Sequence, residues 1–490
     1  MLFRRTTRAK IVTMAVFLLV AVGLGWAQSD GGSEEPSTGW PRAEIGRPSD
    51  PAPAPDPPAP STQISQPPYE LNPPIVGLNA PGLAPTGVET RSFLIPGALI
   101  SQAADTEEGG TSGSSNVHGV TRGLGSLTLQ RLRRRYDLAA DYLGGVGYYS
   151  NRAAGIASLQ LFDVDQHISW SRGQFAIRDS FSYLPEGNFG AGSFGGTGAL
   201  SSIGGLVGGL AGVGILGPGQ FATFGQQPRI TNIAIADATQ FLSPRSSVSA
   251  VGSYGLVHFT DDTFGLVNSH QFVVQGSYDY QLNRKDQIAL LYAYQTFRFP
   301  SVVGSNFNTN LVNVLFGRRI SGRMQFIAGG GPQVTHIHNP QLGSTDRVTF
   351  SGRVSLDYRL EKWRVALSFF RYNTNGSGFS TGSTTDLVRF SAGRPLGRRW
   401  LADVDVGYTY NSLIGPSLFA GKGTSFDYVY AGGSLHRQLG REFSGFISYQ
   451  FSNVGSQGSL CIRSISCSYT AQREVALIGV DWHPHPIRID

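Results

Sequence analysis

The sequence predicts an all-β protein: a 16-stranded antiparallel transmembrane β-barrel over residues 118–490, preceded by a signal peptide and a disordered segment. Three observations predict this fold class. Apolar and polar residues alternate in long segments, the connections between these segments are short and long in turn, and the pattern continues from residue 136 to residue 482. Because alternate side chains of a strand point to opposite faces, each predicted strand has one apolar and one polar face.

The N-terminus predicts a signal peptide over residues 1–27. Basic residues between Arg4 and Lys10 precede an apolar run over residues 11–24. Gly25 and Ala27 supply the small residues that a signal peptidase reads, so cleavage is expected after Ala27. The apolar run is short for a transmembrane helix, which needs about 20 residues. The chain is therefore expected to be exported.

Residues 28–117 predict a disordered periplasmic segment rich in Pro, Gly and Ser. Sixteen of the 27 prolines lie between Pro36 and Pro96, and no periodic apolar pattern accompanies them. Such a composition cannot bury a core, so an extended tether is expected. Two roles remain open for it, a solvated leader and a spacer or cell-wall contact.

The clearest hairpin covers residues 346–372. On its first arm Val348, Phe350 and Val354 share one phase, and Arg353 and Asp357 share the other. After a tight turn at residues 361–362 the alternation restarts on the second arm. The apolar run of the first arm is about as long as a membrane-spanning strand of 9–11 residues.

The connections predict how many strands there are and how they are arranged. From residue 136 onward, seven short turns alternate with eight longer loops rich in Gly, Ser and Asn, which gives 16 strands with both ends on the short-turn side. Residues 127–135 are interpreted as a lead-in to the first strand. An apolar-in soluble barrel would show the same alternation, but 16 strands enclose more space than side chains can fill. Closure is needed because lipid cannot satisfy an open sheet edge.

The closing strand places Ala476, Ile478, Val480 and Trp482 on one phase. Here the sequence resembles bacterial outer-membrane β-barrel proteins of a porin-like family, whose last strand ends in an outward aromatic residue that the barrel-insertion machinery reads. This chain departs from that pattern, because residues 483–490 follow the aromatic. The resemblance implies a location in the cell outer membrane, with outer-membrane lipid, lipopolysaccharide and the insertion machinery as partners.

Two motifs of enzymes and cofactor sites occur in the wrong context. Residues 190–195 match a dinucleotide fingerprint without a βαβ unit. Residues 378–382 match a nucleophile elbow, but lie in a loop between antiparallel strands. We therefore expect neither an enzyme nor a cofactor. The net charge is +6, but the basic residues are scattered rather than striped, so nucleic-acid binding is not expected.

The two cysteines, Cys461 and Cys467, lie in the last long loop. An exported loop faces an oxidising exterior, so a disulfide between them is predicted. The longest loop, residues 185–228, contains a charge-free stretch over residues 198–217 in which eight of twenty residues are Gly. That composition disfavours a helix. It leaves open whether the stretch folds into the lumen or forms a surface patch.

The polar phase of the strands supplies the candidate functional residues. The pore-lining candidates are Asp279, Arg353, Asp357, Arg359, Arg364, Asp403 and Asp405. Charged residues along a pore can confer selectivity, although any wet lumen also needs polar side chains. The function expected from these features is a porin-like channel for passive diffusion of small hydrophilic solutes. Two alternatives remain, a conduit that exports an envelope or extracellular polysaccharide, and a non-transporting adhesin or anchor barrel.

Overall fold

The strands of the computed structural model follow one another around the wall in chain order. The structure describes residues 92–107, 116–133, 135–150, 155–184, 228–260, 267–302, 305–339, 343–360, 363–376, 381–397, 399–414, 425–457 and 470–489. The first nine strands are β1 Phe93–Glu107, β2 Asn116–Arg133, β3 Tyr136–Tyr149, β4 Ile156–Trp170, β5 Gly173–Leu184, β6 Arg229–Ser243, β7 Ser246–Phe259, β8 Ser269–Gln281 and β9 Asp286–Arg298. The others are β10 Asn306–Ser321, β11 Met324–Asn339, β12 Gly343–Arg359, β13 Arg364–Thr374, β14 Ser383–Leu396, β15 Trp400–Leu413, β16 Ser425–Gln438, β17 Phe443–Gln457, β18 Thr470–Trp482 and the short β19 Ile487–Arg488.

The sheet closes on itself, because β1 pairs with β2 on one side and with β18 on the other. Every pairing is antiparallel, and the closing register runs from Ala98↔Trp482 to Asp105↔Val475. The prediction of an all-β antiparallel barrel is therefore confirmed. Among the described residues, no helix is long and apolar enough to cross a membrane.

The predicted strand number was wrong: the described residues form 18 long strands rather than 16. The two additional strands, β1 and β2, include the predicted lead-in and the end of the predicted disordered segment. The predicted boundary at residue 118 falls inside β2. These strands lack clear alternation because both of their faces contact apolar groups: Leu99 and Val120 are buried inside, whereas Ile100 and Val117 are exposed outside. The predicted signal peptide and most of the predicted Pro-rich segment lie outside the described residues.

The two ends of the barrel differ, as the spacing of turns predicted. Eight connections of a few residues join β2 to β3, β4 to β5 and so on to β16 and β17, and we call this the turn end. The remaining connections, including the one between β5 and β6, lie at the loop end. Because β1 begins and β18 ends at the turn end, the number of long strands among the described residues is even. That parity is typical of bacterial outer-membrane barrels.

Polarity is inverted relative to a soluble protein. On β12, Val348 is 71% exposed and Phe350 is 58% exposed, whereas Ser351 on the other face is 0% exposed. The same contrast holds on β8, where Phe272 and Val274 are exposed and Gln271 and Gln275 are buried. An apolar outer face with polar residues inside is the arrangement of a transmembrane barrel.

Aromatic residues form a girdle on the outer surface of the turn end. Its exposed members are Tyr136, Trp170, Tyr280, Trp363, Trp400 and Phe443. The Cζ atoms of Arg394 and Arg437 each lie 4.9 Å from the ring centroid of a girdle tryptophan, Trp363 and Trp400 respectively. Amphipathic rings with guanidinium groups beside them are typical of a membrane–water interface.

Candidate functional site in the barrel lumen

The buried polar face of the sheet is the interior of the barrel. Asn375, just beyond the end of β13, donates from Nδ2 to Oγ of Ser269 on β8 at 2.8 Å. These two strands are five apart in the wall, so their side chains meet only through the interior. The row of buried polar side chains that includes Ser269 therefore faces the lumen.

One sector of the lumen is apolar. Side chains from β1 to β5 and from β17 and β18 form a continuous buried cluster there. Its members include Leu99, Ala103, Val120, Leu124, Leu143, Leu159, Leu161, Phe446 and Leu477. Burial of these side chains stabilises the part of the wall where the first and last strands meet.

A set of polar side chains crosses the lumen near the loop end, and we call it the mouth bridge: Ser269, Thr309, Thr335, Asn373 and Asn375. Asn373 donates from Nδ2 to Oγ1 of Thr309 at 3.0 Å and to Oγ1 of Thr335 at 2.9 Å. Its own Oδ1 accepts from Oγ1 of Thr384 at 3.1 Å. All five members of the bridge are buried. A buried polar network with satisfied partners holds its parts rigidly in place.

An apolar contact beside the mouth bridge also spans the lumen. Ile414, at the end of β15, belongs to one buried cluster with Phe297, Phe307 and Ile337 of β9, β10 and β11. The rings of Phe297 and Phe307 stack with centroids 4.4 Å apart. Together with the mouth bridge, this cluster narrows the loop end of the lumen on the β8–β15 side.

Three residues on neighbouring strands form a charged group on the inner wall, the wall triad: Arg389 on β14, Asp405 on β15 and Tyr430 on β16. Arg389 donates from Nε to both carboxylate oxygens of Asp405, at 3.0 and 3.2 Å. The hydroxyl of Tyr430 donates to Oδ1 of Asp405 at 2.9 Å. Gly407 leaves room for this ring, since a Cβ there would lie 2.1 Å from Cε1 of Tyr430.

A second charged group lies on β4, β5 and β6, nearer the turn end. Arg178 donates from Nη1 to Oδ1 of Asp237 at 2.8 Å, and its Nε lies 3.5 Å from Oδ2 of Asp165. Nε2 of His167 lies 3.0 Å from Oδ1 of the same Asp165. Fixed charges of both signs therefore line the inner wall on opposite sides of the barrel.

The structure describes the side chains of five of the seven predicted pore-lining residues, and all five lie on the inward phase of their strands. Asp279 accepts from Oγ of Ser277 at 3.3 Å. Arg353 stacks over the ring of Phe370, with its Cζ 5.5 Å from the centroid. Asp357 follows on the same phase of β12 and interacts electrostatically with Arg353. Asp403 and Asp405 both face inward from β15, and only Asp405 belongs to the wall triad.

The other predicted site residues are less fully described. The backbones of Arg359 and Arg364 pair with each other on the last rung of β12 and β13 at the turn end. Cys461 and Cys467, predicted to form a disulfide, lie outside the described residues. So does the glycine-rich stretch over residues 198–217.

Sequence reasoning missed the mouth bridge, because it placed Asn375 in an outer loop and the other four members on separate strands that nothing in the sequence brings together. The available signal was the polar run Asn373, Thr374 and Asn375, in which neither phase is apolar. This run departs from the apolar-out alternation of the strand that precedes it.

Similarity to known proteins is found among solved structures. No protein-family model matches the chain, and no curated protein does. Among solved structures, the outer membrane protein OpdK from Pseudomonas aeruginosa aligns with 79% of this chain and 99% of its own, at 11% identity and a TM-score of 0.38. OccK2 (OpdF) of the same organism aligns over 80% and 99%, at 8% identity and a TM-score of 0.40. OccAB4 from Acinetobacter baumannii aligns over 81% and 100%, at 8% identity and a TM-score of 0.41. Similarity at this level assigns no solute to this chain.

Proposed function

We propose that this protein is an outer-membrane channel for the passive diffusion of small hydrophilic solutes. The inverted polarity of the barrel carries the proposal, because an apolar belt outside and a polar wall inside suit a barrel that holds water within a membrane. The wall triad and the Arg178 group supply charges of both signs, which would orient polar solutes across the lumen. The mouth bridge and the Ile414 cluster would restrict passage to small molecules.

The partners proposed for this barrel follow from its outer surface. The exposed apolar belt would contact outer-membrane lipid, with lipopolysaccharide toward the loop end. Trp482, on the outward phase of β18, would be read by the barrel-insertion machinery. It is held in place by a hydrogen bond from its Nε1 to Oε2 of Glu442 at 3.4 Å.

Conductance in planar lipid bilayers tests the channel function. The purified protein is first checked on a detergent gel, where an unboiled closed barrel is expected to migrate differently from the boiled chain. Protein that passes this check is expected to produce discrete conductance steps. Their absence from a folded preparation would reject the channel.

A non-transporting anchor barrel is the second candidate, and the contacts across the lumen favour it. Thr309, Gln333 and Thr409 are 0% exposed although they face the interior of the barrel. An anchor would gain stability from such packing, whereas a permanently open pore would leave these side chains in contact with water. Folded protein that never conducts, even with the mouth bridge disrupted by Asn373→Ala and Asn375→Ala, would favour the anchor.

A further inference from the structure

The barrel wall splits between β12 and β13. β12 pairs with β11 along its length, from Asn339↔Gly343 to Met324↔Tyr358. With β13 it pairs only from Gly352↔Arg371 to Arg359↔Arg364. Among the described residues, 343–351 therefore have no partner strand on the β13 side, and we call them the free edge. Unpaired backbone groups in a membrane barrel cost free energy, and a closed barrel normally has no edge.

The segment that would continue β13 along the free edge lies inside the barrel instead. We call residues 372–376 and 381–385 the hairpin tip. Residues 372–376 are buried one after another, and so are residues 382–385. In a wall strand every second side chain would face lipid, so burial of both phases shows that the tip is surrounded by protein. The mouth bridge holds it there through Asn373 and Asn375.

An ion pair marks the point where the strands part. Arg371 occupies the last rung that β13 shares with β12, and it donates from Nη1 to both oxygens of Asp386 on β14, at 3.1 Å each. The pair ties β13 to β14, and β14 is paired with β15 as far as Ser383↔Leu413. The hairpin tip would therefore move together with the loop end of β15. Glycines lie at both ends of the hairpin tip: Gly352 lies opposite Arg371, and Gly376 and Gly382 have φ of 77° and 103°.

We propose that the hairpin tip is a gate with two positions. In the position observed, it crosses the lumen and is held by the mouth bridge. In the second position it swings into the wall and continues the existing register, so that Tyr372 pairs with Ser351, Asn373 with Phe350 and Thr374 with Thr349. The swing would break the side-chain hydrogen bonds of the mouth bridge, and also the one that Nη1 of Arg347 on the free edge donates to the backbone oxygen of Leu413 at 3.2 Å. It would form backbone hydrogen bonds along the free edge instead. Such an exchange creates two states of the kind on which switching depends.

The purpose of the gate rests on the proposed channel function, but its geometry does not. Two disulfide variants therefore test the two positions of the hairpin tip separately from conduction. Both are made with Cys461→Ser and Cys467→Ser. The wall variant carries Phe350→Cys and Asn373→Cys, residues on what would be adjacent strands after the swing. The lumen variant carries Ser269→Cys and Asn375→Cys, whose side chains are hydrogen-bonded in the position observed. Single-cysteine variants treated with the same oxidant are the controls.

Both variants are expected to cross-link in folded barrels, as judged by gel migration. The oxidised wall variant is expected to conduct several-fold more than the oxidised lumen variant, and reductant should abolish the difference. Cross-linking of the lumen variant alone would overturn the gate and leave a fixed constriction. If both cross-link and neither conducts, the two positions stand and the channel function fails. The double substitution Asn373→Ala and Asn375→Ala weakens the observed position without introducing cysteines. It should raise the conductance, and an unchanged conductance would count against the gate.

Discussion

Arg473 donates from Nε to Oδ1 of Asp105 at 2.6 Å, and this contact joins the last long strand of the barrel to the first. The two residues are 368 positions apart in the chain, and their side chains are 8% and 1% exposed. Beside them, the backbone amide of Glu474 donates to Oγ1 of Thr106 at 2.8 Å. The junction between β1 and β18, which we call the seam, is therefore stabilised by side-chain contacts as well as by backbone pairing.

We expect Asp105→Ala to destabilise the barrel by about 3–5 kcal/mol, because it leaves a buried guanidinium without its carboxylate. The temperature at which the folded form disappears from a detergent gel measures the effect. The matched control is Asp346→Ala, which removes a pair with His336 whose side chains are 67% and 50% exposed. An exposed pair contributes about 0–1 kcal/mol. Equal effects of the two substitutions would contradict a special role for the seam.

Gly407→Ala is expected to disturb the wall triad. Its Cβ would overlap the ring of Tyr430, and overpacking of this kind typically costs about 1–3 kcal/mol. Gly432→Ala is the control, because its Cβ would lie 3.6 Å from the nearest atom, an ordinary contact. The same gel assay compares them. In a Tyr430→Ala background the Gly407→Ala substitution should cost less, because the ring that its Cβ would overlap is gone, and an unchanged cost would place the strain elsewhere.

The charges of the wall triad should set ion preference if the barrel conducts. Asp405→Asn leaves the positive charge of Arg389 on the inner wall and should shift the reversal potential toward anion preference. Arg389→Gln should shift it toward cation preference. Asp427→Asn is the control, because Asp427 lies on the outward phase of β16 and accepts from the Tyr408 hydroxyl at 2.9 Å. Shifts of the same sign in both triad variants would contradict the assignment.

The two cysteines are predicted to form a disulfide within the last long loop. Without reductant, alkylation of the denatured protein should label neither Cys461 nor Cys467, and labelling of both would show that they are free thiols. Because the ring is small and lies in a loop, its loss should affect barrel stability little. Its entropic effect should fall below the roughly 3 kcal/mol associated with a 15-residue loop.

A strand could be predicted from the sequence only where its two faces have different surroundings, lipid on one side and the polar lumen on the other. On β12 and β15, one phase faces lipid and the other the lumen, so alternation placed Arg353, Asp357, Asp403 and Asp405 on the inward side. On β1, apolar residues occur on both phases because the inner side packs in the apolar sector, and the strand was missed. Alternation in the sequence arises because the two faces of a strand have different surroundings. It disappears where the surroundings of both faces are apolar.

The sequence alone determined the class of the protein: antiparallel strands with two unlike faces, unlike connections at the two ends, and closure required by lipid. It could not determine which distant residues meet in the interior. Asn375 contacts Ser269, and Asp105 contacts Arg473, only because the sheet closes and β13 parts from β12 beyond Arg371. Alternation along a strand is a local property with a period of two residues, whereas these contacts depend on the curvature of the whole sheet. The tertiary structure therefore decided the strand number, the seam and the position of the hairpin tip.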